Sequence, residues 1–245
     1  MQMTSRDERM LEWLRVVRMA EMPALRWALG GFSGAGEPVS LRKAQQWVAR
    51  CRAAGLVKDG RPMYQSSSVV WPTSQIIEDE RGARVRALPA PNLLRQTVRH
   101  DLAVAAVAAR YVCAGWAWSA DRDPEQRHQA DGIGRRGDVF ELVEIELTTK
   151  TLDRYLKIFG SHDERIRFDG VTSVLYVTDE RTGQSISRQI EQRVHVDDRA
   201  RFTVLPVLDG WGRVQDDLWP YATPRFTPAA AGAQPEQLPA PSGLF

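Results

Sequence analysis

The chain is poor in the residues that make covalent staples and metal clusters. Two cysteines, Cys51 and Cys113, among 245 residues cannot build a disulfide framework. Both fall in segments that read as helix or helix end, so free buried thiols and a cytoplasmic location are the expectation. There are only four histidines. None is paired at ligand spacing with another histidine or a cysteine, which argues against a zinc site. No apolar run approaches the roughly 18 residues of a membrane span, so no membrane partner is expected. The first ten residues, MQMTSRDERM, are charged and lack the apolar stretch of a signal peptide. A phosphate loop, a GxSxG elbow and a dinucleotide fingerprint are also missing; GFSGAG has no strand before it and no matched helix after it.

What is present is ordinary globular composition, 43% hydrophobic and 26% charged, in a length that suits one large domain or two small ones. The net charge of +2 hides an asymmetry. Residues 1–71 carry 11 Arg or Lys against 6 Asp or Glu, while the remainder carries 22 against 25. A basic first part beside a mildly acidic second part fits nucleic-acid contact through the first, and equally an ordinary solvated basic face.

The periodicity of the first part predicts three helices. Ser5 is placed to cap the first, with Asp7 and Glu8 in its first turn and Met10, Leu11, Leu14 and Val17 as its apolar stripe. The second spans about Pro23 to Leu29, and GGFSGAGEP reads as a flexible connection. Ser40 caps the third, which stops at Gly55 and buries Leu41, Ala44, Trp47, Val48 and Cys51. Asp59-Gly60 is a tight-turn signal between short extended pieces, and SSVVWPT supplies another strand. Three helices followed by a small hairpin is the order of a winged helix-turn-helix. Its third helix would be the recognition helix, with Arg42, Lys43, Gln46 and Arg50 as contacts, and Lys58 and Arg61 near the wing.

Residues 77–92 read as a linker between a first domain at 1–76 and a second at 93–219. Residues 220–245, rich in Pro and Ala, read as a disordered tail. The second domain reads as a helix from Leu93 to Tyr111, a strand bearing Trp116 and Trp118, a short extended piece from Gln129 to Ile133, and the strand VFELVEIELT. A helix from Thr151 to Phe159, a strand to Thr178, a helix to Arg193 and a last strand to Leu208 follow. This is a mixed α/β sheet flanked by helices, α+β over the whole chain. Trp211 in DGWGR reads as a hairpin residue packing on the core, and His100 and Asp101 as structural residues of a helical turn.

Three carboxylates stand out. Asp131 lies in HQADGIG, and Glu144 and Glu146 share one strand face in VEIELTTK, with Lys150 just beyond. Like charges on one face need a cation or hydrogen bonds to offset them, and Asp131 with Glu144 could hold Mg²⁺. Alternatively, with Val143, Ile145 and Leu147 buried, the glutamates form the solvated face of an edge strand. No His or Tyr is expected beside them as a further proton carrier.

Asp131, a turn, then Glu144-Ile-Glu146 ahead of a helix resembles the αβββαβ core of the PD-(D/E)XK nuclease-like superfamily. In combination with the winged helix, HQADGIG and VEIELTTKTLDRYLKIF resemble the replication-relaxation family of actinobacterial plasmids and phages. Ala130 stands where that nuclease pattern has proline, and Glu146 where it has lysine. The resemblance therefore implies either a degenerate scaffold or a Mg²⁺-dependent nuclease using Asp131, Glu144, Glu146 and Lys150. Size and domain order are also similar to phage recombination directionality factors, which act on large serine integrases. That implies an accessory protein whose partner is DNA or a DNA-bound recombinase or relaxase; a relaxosome factor or transcriptional regulator is the further alternative.

Overall fold

The computed structural model describes residues 3–63, 67–79, 82–122 and 128–220. The Pro/Ala-rich tail, apart from Pro220, lies outside the described residues, as do residues 1–2, 64–66, 80–81 and 123–127. Among the described residues the chain is a mixed α/β protein with six α-helices, a three-stranded sheet, a five-stranded sheet and a two-stranded ribbon. No described helix is long and apolar enough to cross a membrane.

The first part comprises α1 (Ser5–Val17), β1 (Ala20–Glu21), α2 (Met22–Phe32), α3 (Leu41–Ala53), β2 (Val57–Gly60) and β3 (Val69–Pro72). β3 lies between β1 and β2 and is antiparallel to both. Thr4, not Ser5, caps α1: its hydroxyl accepts from the Asp7 N–H, while the Asp7 carboxylate accepts from the Thr4 backbone. Asp7 is thus drawn inward. It is fully buried and also accepts from Trp47 Nε1 at 3.0 Å and from Arg50 at 2.5 Å. This network fastens α1 to α3. Ser40 caps α3, and Gly55, with φ 71°, follows its end, both as the sequence predicts. Leu41, expected in the buried stripe, is 49% exposed because it occupies the first turn of α3.

Two expectations fail for steric reasons. The α2 helix runs on through Gly30 and Gly31 to Phe32 rather than opening into a loop at Leu29. A Cβ at Gly31 would lie 2.6 Å from the Val112 carbonyl oxygen and 2.7 Å from Cys113 Cα, so glycine here permits a close helix crossing. Asp59-Gly60 is not the turn. Both residues belong to β2 and pair with Val70 and Val69. A Cβ at Gly60 would meet the Trp71 ring at 3.0 Å, so this glycine also serves close approach.

A two-stranded antiparallel ribbon, β4 (Ser74–Asp79) and β5 (Gly82–Ala87), begins in the last residues of the expected first domain and runs into the segment expected as a linker. Beyond it come α4 (Val98–Cys113), β6 (Ala117–Ser119), β7 (Gly132–Arg136), β8 (Val139–Glu146), α5 (Leu152–Phe168), β9 (Ser173–Thr178), α6 (Glu180–Arg193) and β10 (Phe202–Pro206). The sheet order is β10-β9-β8-β7-β6, with β6, β7 and β8 antiparallel in sequence and β8, β9 and β10 parallel.

This sheet is covered on both faces. Ala103, Val107 and Tyr111 of α4 pack against Val143, Ile145, Leu175 and Val177. On the other face Tyr155, Ile158 and Phe159 of α5 and Ile186 of α6 pack against Leu142, Val174 and Tyr176. The α4 helix has a second apolar face. Ala105, Ala108, Ala109 and Val112, at helical spacing, join the core of the first part together with Leu25, Ala28 and Leu29 of α2. Both cysteines lie in that core, free and buried, and burial pushes each thiol up to about 11.

Candidate functional site

β8 is the central strand of the five, so the solvated-edge reading of its glutamates does not hold. Glu144 and Glu146 are 2% and 3% exposed. Both point to the face covered by α5, because period-two alternation puts them with Leu142, which packs on that helix. Burying two carboxylates on one strand requires cationic or hydrogen-bonding partners. The structure supplies them from three directions.

Lys150 reaches back from beyond the strand and forms an ion pair with Glu146. Burial pulls the Lys150 ammonium below its usual range; the carboxylates of Glu144 and Asp131 oppose that shift and the Arg154 charge adds to it. Glu144 is met by two imidazoles. His128 Nε2 lies 2.7 Å from its Oε1, and His162 Nε2 lies 3.0 Å from the same oxygen. Burial works to raise the Glu144 pKa, but the contacts and charges of His128 and His162 outweigh it and hold the carboxyl below its ordinary range. Asp131 precedes β7 and turns toward β8. Its Oδ2 accepts from the Ile145 N–H at 2.7 Å and lies 3.2 Å from His100 Nε2, which is also 3.1 Å from the Ile145 carbonyl oxygen.

The expectation that no histidine stands near the carboxylates is therefore overturned by three: His100, His128 and His162. The sequence reading ends α5 at Phe159. The helix continues nine residues further, to Phe168. His162 and Arg165 then fall on the buried face begun by Tyr155, Ile158 and Phe159. The i, i+3, i+4, i+7 pattern of those residues was the available signal. Arg165, one turn beyond His162, makes a buried ion pair with Asp121 at 2.5 Å. Asp121 also accepts from the Ala130 N–H at 2.8 Å. That clamp ties the chain on either side of His128 to α5.

The carboxylates open onto a cavity of about 770 Å³ lined by Asp131, Glu144, Glu146, Lys150, His100 and His128. Arg95, Arg99 and Arg154 add positive charge to its wall. Trp211, expected in the core, is 65% exposed and lines this cavity. It sits on a tight turn in which the Asp209 carboxylate accepts from the Trp211 and Arg213 N–H groups, and this turns the indole outward.

Asp131, Glu144, Glu146 and Lys150 are therefore brought to one place. The donor set does not suit Mg²⁺, which takes oxygen ligands and retains several waters. Glu146 is engaged by Lys150, one oxygen of Asp131 by Ile145 and His100, and Glu144 by two nitrogen bases.

The residues expected to bind DNA lie elsewhere. Arg42, Lys43 and Gln46 are exposed on α3, and Lys58 and Arg61 are exposed on and just after β2. Arg50 differs from them: its guanidinium is committed to buried Asp7, so it braces the helix from within. No family model, curated protein or solved structure matches the chain.

Proposed function

We propose that the protein is an accessory factor in a DNA transaction of a phage or plasmid. It acts by placing α3 on DNA, or on a recombinase or relaxase seated on DNA. Three helices with a β1-β3-β2 sheet support this reading, because a winged helix-turn-helix has that element order and would put α3 in the recognition position. The observation that carries the reading is the state of the α3 surface. Arg42 and Lys43 are exposed and have no ion-pair partner among the described residues, while the apolar face of the same helix is fixed in the core. Lys58 and Arg61 extend the positive surface toward the wing. In its most specific form, the protein is a recombination directionality factor that turns a serine integrase toward excision. The PD-(D/E)XK-like second part then serves as a scaffold for protein contact.

The test measures DNA binding by the full chain at several salt concentrations, alone and with a serine integrase, alongside the variant carrying Arg42→Glu and Lys43→Glu. Loss of two phosphate contacts should reduce the slope of log K against log salt by about 2. Binding that appears only with the integrase, accompanied by excision product, supports the directionality reading. An unchanged slope, with no integrase-dependent binding, sinks the proposal.

A second reading, a nuclease acting in the cavity, is favoured by one observation: Asp131, Glu144, Glu146 and Lys150 converge there beside Arg95, Arg99 and Arg154. It is the weaker reading because each carboxylate already has protein partners. Cleavage of supercoiled, linear or branched DNA that vanishes in Asp131→Ala would reverse this preference.

A further inference from the structure

We propose that His128, His162 and Glu144 form a binding site for one late first-row divalent ion of the Zn²⁺ class, with its remaining coordination open to the cavity. The proposal stands on the geometry of the second part and is independent of whether α3 binds DNA.

The nitrogen and oxygen donors of these three side chains all lie within 4.8 Å of one another. Both imidazoles approach the same carboxylate oxygen, and their rings are 5.5 Å apart and inclined at 63°. Two imidazoles and one carboxylate are a donor set for Zn²⁺ and its neighbours, whereas Mg²⁺ selects oxygen alone.

A second observation concerns His162 itself. Its side chain is fully buried, and neither ring nitrogen has a hydrogen-bond partner among the described residues. The Nε2 lies 3.0 Å from Glu144 but is not aligned to donate to it. An imidazole introduced merely to neutralise Glu144 would be oriented to make that bond, because an unmade hydrogen bond in the interior is costly. A buried imidazole nitrogen left without a hydrogen bond, within 4.8 Å of two other donor atoms, is free to serve as a metal ligand. The nearby phenol of Tyr176, opposite Glu144 on β9, is also buried without a hydrogen-bond partner and is pushed above its usual range by burial and by Glu144.

The site is held before any ion arrives. Glu144 is fixed by the sheet, His162 by the middle of α5, and His128 by the Asp121–Arg165 clamp beside it. His128 is the side chain that reaches the cavity, together with the Glu144 carboxylate. A bound ion would therefore face a space wide enough for water or for a phosphate-bearing ligand. Three protein ligands with one open position is the pattern of sites that act on a ligand, whereas purely structural sites are closed by four.

The test uses the full chain stripped with chelator: one portion is dialysed against Zn²⁺ and its bound metal counted, and another is titrated with Co²⁺, then with Zn²⁺, while the visible absorption of the cobalt is followed. The expected result is one ion per chain, with cobalt bands that Zn²⁺ abolishes. His128→Ala, at a partly exposed position, should weaken binding by about 100-fold or more while circular dichroism stays that of the parent. That is at least the effect of losing an outer partner of a metal ligand. His162→Gln should do the same, and Asp131→Ala should leave binding intact. Absence of stoichiometric binding overturns the site. Binding that survives His128→Ala but is lost in Asp131→Ala also overturns it, in favour of an oxygen-only cation site.

Discussion

Two carboxylates, one in each half of the molecule, are buried to almost the same degree and differ in their surroundings. Asp7 is fully buried and Glu144 is 2% exposed. Asp7 receives four donors of fixed protonation or fixed direction: the Thr4 N–H and hydroxyl, the Trp47 indole and the Arg50 guanidinium. Glu144 receives two imidazoles, groups that can give up a proton or accept an ion, and it opens onto a cavity. Burial of an acid is therefore not itself the mark of a site. The mark is the kind of partner and the presence of space beside it. Asp7 ties two helices together, while Glu144 is positioned for a ligand.

The strongest way to break this comparison is to replace each carboxylate by its amide. Asp7→Asn turns a donor toward the Thr4 N–H or withdraws the acceptor from Trp47, and it strips the charge from Arg50, which cannot lose its proton. A cost of about 2 kcal/mol is expected, because a buried acceptor loses its match to several donors while the partly exposed Arg50 can turn to water. Glu144→Gln in chelator-stripped protein should cost about 1 kcal/mol, because the amide keeps the shape of the side chain and its neighbours are imidazoles, a ring type that can donate or accept, and not a guanidinium. Urea unfolding at neutral pH measures both. Equal losses, or the reverse order, would mean that Glu144 is as structural as Asp7.

The next test addresses the seam between the halves. Gly31→Ala places a methyl against the backbone of Val112 and Cys113, and it should cost about 2 kcal/mol through overpacking. Gly160→Ala is its counterpart on α5. A Cβ there meets nothing within 4 Å, so the helix should gain up to about 1 kcal/mol. Thermal melts should move in opposite directions. A loss at Gly160 would show that the α5 surface near the cavity is covered by something other than water.

These glycines also mark the limit of what the sequence discloses. Periodicity was sufficient for the first part: the stripes of α1 and α3, Ser40 as a cap and Gly55 as a stop are local signals, and local forces decide them. Gly31 was misread because its role is close approach to Val112 and Cys113 on α4, which no window of sequence contains. The same limit hid the site. Alternation placed Glu144 and Glu146 on one face correctly, but whether that face meets water or α5 depends on strand order. Ending α5 at Phe159 detached His162 from the stripe that carries it. His128, 16 residues before Glu144, is held there because Asp121, paired with Arg165, also accepts from the Ala130 N–H.

The smallest expected effect concerns the third histidine and its partner. Burial tends to lower the pKa of His100, but the hydrogen bond and charge of Asp131, the charge of Asp101 and the Ile145 carbonyl together raise it above its ordinary value of 6.5. A raised pKa in the folded state means that the imidazolium stabilises the fold. That contribution is complete below about pH 6.5, where the unfolded chain is also protonated, and it is lost as pH rises through the higher folded value. Stability should therefore decline modestly as pH rises above 6.5. The effect is small because His100 and Asp131 are 35% and 23% exposed, and water screens part of their attraction. Asp131→Asn removes the charge and should flatten this limb, while Glu144→Gln, whose histidines are different ones, should leave the limb in place. Melting temperatures from pH 6 to 9 for the three chelator-stripped proteins distinguish the two carboxylates again. If Glu144→Gln flattens the limb as well, the Glu144 and Asp131 carboxylates act on His100 together, and the cavity contains one coupled cluster in place of a bridge beside a metal site.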